Sequence, residues 1–305
     1  CVEPFGDFEK HTIQTSNQQT GFSVVPAYGN CVLGVWINGV QLLDGYTTPA
    51  ELTQMSFSKN VWLFPFPNRL AGGYYQYEGN NYQFPINDKS GPNSIHGIGR
   101  KVKHQLLNVN LSNEQGTIST LYQYNDEHEY YPFSFDLFLH LTMNPAGFDV
   151  AVIVENKSPI VMPFGFGWHP YFKFSSPLEK VKIQLPICKE VLVDNNMIPT
   201  GEKVEYEKFS SLKDIEDTHW DTCFVLCNLE NKNTLPLLSE TGLLSYYQNE
   251  SCPYFQLFTP QHRQSIAIEP MSCNINAFNN GEGLIQLQPN QNWQAKFGFN
   301  WKSSY

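Results

Sequence analysis

The sequence predicts an all-β protein, a large antiparallel β-sandwich forming a single domain over residues 1–305. Three observations carry that reading. Apolar and aromatic runs of strand length recur along the whole chain, separated by Gly, Pro, Asn and Asp, which is the rhythm of short strands and turns. Asn38-Gly39 lies between two such runs, a strong hairpin signal because both residues tolerate the positive φ of a tight turn. Helical signals are few and short, and no internal repeat, low-complexity stretch or break in composition marks a second unit.

In chain order, residues 32–36 and 40–43 form the arms of the first hairpin around Ile37-Asn38-Gly39. Thr48-Pro49-Ala50-Glu51-Leu52 opens a short helix, with an N-cap, a first-turn proline and a first-turn acid. Residues 74–77 and 82–84 flank Glu78-Gly79-Asn80-Asn81 as a second hairpin. Strands follow at 133–140, 148–154 and 181–185. Ser210 to Ile215 is expected to form a single helical turn. Residues 254–258, 265–269 and 293–299 complete the strand set.

Composition excludes several function classes. The 305 residues carry 19 Lys+Arg against 29 Asp+Glu, a net charge of -10. That field repels a phosphate backbone, so nucleic acid is excluded as a partner. No polybasic run offers itself to an anionic membrane surface. The longest apolar runs, 61–66 and 150–154, fall far short of the ~20 residues that span a bilayer. The seven cysteines include no CxxC pair, and the segment between Cys223 and Cys227 reads as strand. They are expected to be buried free thiols in a reducing, cytoplasmic setting, with no metal site. The chain begins at Cys1, so a trimmed N-terminus is expected, a lipid-modified cysteine included. No nucleotide-binding glycine pattern follows a strand, and no cofactor is implied.

Five ionisable residues occupy unusual settings. Arg69 stands alone among aromatics and glycines in the segment Pro65 to Gly73; its fork of donors suits hydroxyl recognition as well as loop anchoring. His96 sits in a loop dense in Gly, Pro and Asn, the kind that carries function on a rigid scaffold. His169 is enclosed by Trp168, Tyr171 and Phe172, where desolvation acts on a group that titrates near neutrality. It is a candidate general acid, or else a core histidine. Glu269 closes an apolar strand before Pro270, a costly place for a carboxylate unless it is paired or used. Asp221 marks a polar step into a strand and, taken singly, reads as a turn or cap.

Together and in this order these segments resemble the aldose 1-epimerase family, the galactose mutarotases. The resemblance rests on Asn68-Arg69 with the following Gly-Gly-Tyr, Asn93-Ser94-Ile95-His96-Gly97, Gly167-Trp168-His169-Pro170-Tyr171-Phe172, and Ile268-Glu269-Pro270 with Asn276-Ala277-Phe278. It covers residues 21–301. It implies a β-supersandwich with one open sugar-binding cleft and no cofactor. By the same resemblance Glu269 is the catalytic base and His169 the catalytic acid. His96, Arg69 and Asp221 bind the sugar, and Trp168, Tyr171 and Phe278 offer apolar faces to the pyranose.

The implied chemistry is interconversion of the α- and β-anomers of a free hexose such as glucose or galactose. One group removes the C1 hydroxyl proton while another protonates the ring oxygen; each is typically worth ~10²–10⁴-fold. Glu269 is expected to be ionised at an open strand end, its charge raising the His169 pKa. The alternatives are a hexose-6-phosphate mutarotase, since Arg100 and Lys101 follow the His96 motif, and a non-catalytic carbohydrate-binding protein. A neutral hexose is preferred on the expectation that Arg100 points away from the cleft. A glycosidase, which needs a carboxyl pair, is disfavoured. The small-molecule sugar is the expected partner, and the protein a monomer or homodimer.

Overall fold

The structure is a computed structural model that describes residues 1–112, 115–230 and 232–304. Every ladder between its strands is antiparallel, and two large sheets dominate. The first has nine strands, in the order Gln105–Leu111, Gly116–Tyr124, Phe135–Asn144, Gly147–Asn156, Asn292–Ser303, Gly242–Gln248, Asn233–Ser239, Lys182–Ile183 and Lys213–Asp214. The second runs Pro199–Glu205, Cys188–Val193, Asp221–Leu226, Tyr254–Phe258, Ser265–Met271, Gly167–Trp168 and Trp62–Leu63, with Tyr171–Lys173 also paired to Ser265–Met271. A smaller N-terminal sheet contains both arms of the first hairpin, Cys31–Ile37 and Val40–Gln41. Among the described residues no helix is long and apolar enough to cross a membrane.

The two large sheets pack face to face because each alternates. In Phe135–Asn144 the residues Phe135, Leu137, Leu139, Leu141 and Met143 are buried while those between them are half-exposed, the period of two expected of a half-buried strand. The facing side chains interlock as rings. Trp168 of the second sheet stacks on Trp62 at 5.3 Å and on Phe297 of the first sheet at 5.8 Å, and Phe172 meets Phe299 edge-on at 5.1 Å.

The strands Tyr254–Phe258 and Ser265–Met271 at the middle of the second sheet are buried on both faces. Phe224, Leu226, Phe255, Leu257, Ile266 and Ile268 point into the sandwich core. Cys223, Tyr254 and Met271, at alternate positions of the same strands, belong to a separate apolar cluster on the outer face. Asp221, Gln256 and Glu269 share the parity of that outer face. This alternation decides the location of the site.

The first hairpin turns at Asn38 and Gly39, both at positive φ, as its sequence requires. The helix is Pro49–Gln54, closed by a full capping box between Thr48 and Glu51. Three expectations need correction. The second hairpin turns on Glu78-Gly79 alone, and Asn80 already pairs with Tyr77, because these two residues take the positive φ of a two-residue turn. Residues 210–215 contain no helix: Lys213–Asp214 joins the edge of the first sheet, where Ile215 is buried. Burial of that one side chain against the sheet outweighs a weak single-turn propensity. Of the seven free cysteines, Cys1 and Cys227 are exposed, and the other five are buried.

Candidate active site

A cleft of about 530 Å³ opens on the outer face of the second sheet, and Arg69, His96, His169, Asp221 and Glu269 all line it. Its floor is three adjacent strands. Glu269 faces Gln256 directly across one ladder, and Gln256 faces Cys223 across the next. Gln256 is buried; its Nε2 donates to Asp221 Oδ1 at 2.7 Å and its Oε1 accepts from Asn68 Nδ2 at 3.2 Å. Glu269 is 2% exposed. It lies inside the strand Ser265–Met271, not at an open strand end as expected, and strand parity alone turns it outward from the core.

One wall carries Arg69 and His96. The two-residue strands Arg69–Leu70 and Ser94–Ile95 pair with each other, and the His96 amide donates to Asn68 O at 2.8 Å. Arg69 is held from the far side: Nε donates to Asp88 Oδ2 at 2.8 Å and Nη1 to Asn68 Oδ1 at 3.3 Å. Thus a bonded chain runs from Asp88 through Arg69, Asn68 and Gln256 to Asp221. His96 and Gly97 both adopt positive φ. A side chain on Gly97 would stand 2.1 Å from the Phe64 carbonyl, so only glycine permits this close approach.

His169 follows the strand Gly167–Trp168 into the cleft. Its amide donates to Val61 O at 3.0 Å and its carbonyl accepts from Asn60 N at 2.9 Å. Asn60, fully buried, also accepts from the Tyr171 amide and anchors Val32 and Asp44 through Nδ2. The imidazole lies parallel to the Tyr171 ring at 4.9 Å, with Nε2 3.4 Å from Glu269 Oε1. The His96 ring stands edge-on to His169 at 5.4 Å. Among the described residues Glu269 Oε2, His169 Nδ1 and His96 Nδ1 are buried without a hydrogen-bond partner. Unpaired buried polar atoms are costly, about 1–3 kcal/mol each, and tend to mark sites where a polar ligand binds or reacts.

Electrostatics differ from the expectation. Burial, reinforced by Asp221, pushes the Glu269 carboxyl well above its ordinary value. Burial pushes the His169 imidazole down to about 3, and Arg100 adds to that shift. His96 is driven down in the same way, with help from His169 and Arg100. Burial thus favours the neutral form of each of the two groups. Asp221 is open to the cleft, yet the protein around it raises its carboxyl, with Arg69 and Gln256 opposing.

The apolar walls also need correction. Tyr171 lines the cleft, but Trp168 and Phe278 do not. Trp168 ends the strand Gly167–Trp168 and packs into the core on Trp62 and Phe297. Phe278 packs against Phe66 and Tyr75. The aromatic faces present are those of Phe57 and Phe258, which the sequence motifs do not flank. Arg100, expected to turn away, lines the cleft with Lys101 and Lys89. Gln256 and Asn60 were not singled out by sequence reasoning, though an isolated amide inside the apolar run Tyr254 to Phe258 is a signal of the first.

A sequence model of the aldose 1-epimerase family matches residues 11–300. The chain is 30% identical over 233 residues to the uncharacterized protein YihR of Escherichia coli K12, a match spanning 74% of this chain and 73% of that one. In fold it is similar to a galactose mutarotase-like protein from Clostridium acetobutylicum, with a TM-score of 0.88 and 19% identity over 99% and 98% of the two chains. It is also similar to galactose 1-epimerase from Lactobacillus acidophilus, with a TM-score of 0.83 and 16% identity over 100% and 98% of the two chains.

Proposed function

The chain belongs to the aldose 1-epimerase family, and from that premise we propose that it interconverts the α- and β-anomers of a hexose by acid–base opening and closing of the ring. The observation that carries the reading is the approach of His169 Nε2 to Glu269 Oε1, 3.4 Å apart, in a cleft also lined by Arg69, His96 and Asp221.

Glu269 takes the C1 hydroxyl proton as the C1–ring-oxygen bond breaks, and His169 gives its proton to the ring oxygen. The product is the open-chain aldehyde. Rotation about C1–C2 exposes the other carbonyl face; His169 then recovers the proton from the C5 hydroxyl as it attacks, and Glu269 returns one to the carbonyl oxygen. The active form needs a carboxylate and an imidazolium, whereas burial favours the neutral acid and the neutral base. The two forms hold the same single proton. Sugar hydroxyls that hydrogen-bond the carboxylate stabilise its ionised form, so the shift needs no proton from solvent. Arg69, His96 and Asp221 hold the sugar hydroxyls, with Arg69 and Asp221 aligned through Asn68 and Gln256. The five buried free cysteines support a reducing, cytoplasmic setting.

The test is the rate at which freshly dissolved α-D-glucose, α-D-galactose and α-D-glucose 6-phosphate reach anomeric equilibrium, followed by polarimetry or by NMR exchange between the anomers. Acceleration of at least one of them is expected. Saturable binding of these sugars with no acceleration of any would replace the reading with a carbohydrate-binding one.

A further inference from the structure

The proposed chemistry leaves Arg100 without a role. Four basic side chains line the cleft, Arg69, Lys89, Arg100 and Lys101, against the two carboxyls of Asp221 and Glu269. This is a local surplus of positive charge in a chain of net charge -10. Arg69 is neutralised by Asp88 at 2.8 Å. Arg100 is not: among the described residues no carboxylate stands within ion-pair range of it, and its guanidinium makes one hydrogen bond, to Ser58 Oγ at 3.4 Å. A partly buried guanidinium with five donors is ordinarily paired or bonded to carbonyls. Arg100 is neither, and its free donors border the cleft.

The two guanidiniums serve different ends of the site. Arg69 is tied through Asn68 and Gln256 to Asp221, whereas Arg100 donates to Ser58, next to Phe57, whose carbonyl accepts from the Tyr171 hydroxyl of the ring stacked on His169. The next step rests on the acid–base reading above. If His169 protonates the ring oxygen and Glu269 serves the C1 hydroxyl, the histidine side of the cleft receives the other neighbour of the ring oxygen. That neighbour is C5, with its C6 substituent.

We propose that Arg100, with Lys101 and Lys89 beside it, forms an anion subsite that selects a hexose bearing a negatively charged group on C6. A planar guanidinium grips a tetrahedral or planar oxyanion with two parallel hydrogen bonds. The two lysines that line the cleft with it add positive charge suited to a substituent of one to two negative charges, which the field of the whole protein would otherwise repel. Phosphate, sulfonate and carboxylate share this chemistry and differ in charge and shape.

The experiment compares α-D-glucose with its 6-phosphate, its 6-sulfonate and glucuronate, at low salt and at 0.5 M NaCl. It measures kcat/KM in the parent and Arg100→Gln proteins, and Kd in Glu269→Gln and Glu269→Gln/Arg100→Gln. At least one anionic sugar should exceed glucose by tenfold or more, the advantage shrinking in high salt. Arg100→Gln should lower the anionic-to-neutral ratio by at least tenfold. Lys101→Ala should lower it by a smaller factor and serves as the readout if the arginine variant does not fold. The order among the three anions identifies the group. A ratio at or below one, or a ratio unmoved by both variants, overturns the subsite. If no sugar is turned over but an anionic one binds with an Arg100-dependent Kd, the subsite stands and the epimerase reading fails.

Discussion

Gln256 and Glu269 are direct cross-strand partners on the outer face of one sheet, both buried, yet they do not bond to each other. Gln256 uses its amide on Asp221 and Asn68. Glu269 is left with His169 at 3.4 Å and with an unpartnered Oε2. The amide beside the carboxyl thus ties Asp221 to Asn68 and makes no hydrogen bond to the carboxyl.

Replacing Glu269 by Gln should lower kcat/KM by at least ~10²-fold, the scale of a lost general base, while sugar binding measured by calorimetry persists. The same variant should be more stable than the parent at pH 8. The folded-state pKa of Glu269 is raised, so the stability contributed by its neutral form is present below its unfolded pKa and is lost as pH rises toward the folded one. Thermal midpoints should differ by a few degrees at pH 8 and converge near pH 4. A parent protein as stable as the variant at pH 8 would show that Glu269 is not desolvated.

The pH profile of kcat/KM should be bell-shaped. As pH rises through the raised Glu269 value the pair loses its only proton and has no acid. As pH falls toward the lowered His169 value, about 3, a second proton occupies the pair and there is no base. In Glu269→Gln, whatever residual activity remains should lose the alkaline limb. An alkaline limb that survives in this variant at the same pH would assign that titration to another group.

Gln256→Leu keeps the volume and removes both amide bonds, stranding Asn68 Nδ2 and Asp221 Oδ1. Hydrogen bonds to charged groups contribute about 1.5–3 kcal/mol, so KM should rise by tenfold or more and kcat should fall by less. Steady-state kinetics separate the two. A fall confined to kcat would make Gln256 a participant in the chemical step and not a positioning residue.

Gly97→Ala should be among the most damaging single-methyl additions. It forces a Cβ to 2.1 Å from the Phe64 carbonyl at φ +59, where neither backbone yields cheaply. A loss of about 3 kcal/mol or more in denaturant unfolding is expected, with weakened sugar binding because His96 precedes it. Near-parental stability would mean the His96 loop is not locked against Phe64.

By itself the sequence determined the all-β class, the Asn38-Gly39 turn, the capped helix and five ionisable residues that meet in one cleft. These are local or motif-borne properties: turn chemistry, capping and strand composition are written in a few adjacent residues. Tertiary structure decided the rest. Trp168 and His169 are neighbours in sequence and part company at the end of a two-residue strand, Trp168 packed into the core on Phe297 and His169 lining the cleft. Arg100 faces the cleft because its loop folds back against Ser58, and nothing in its flanking residues encodes that direction. Glu269 and His169 prefer neutral forms because burial is a property of the assembled sandwich. Desolvation is summed over every atom that displaces water, and no single segment of chain contains that sum.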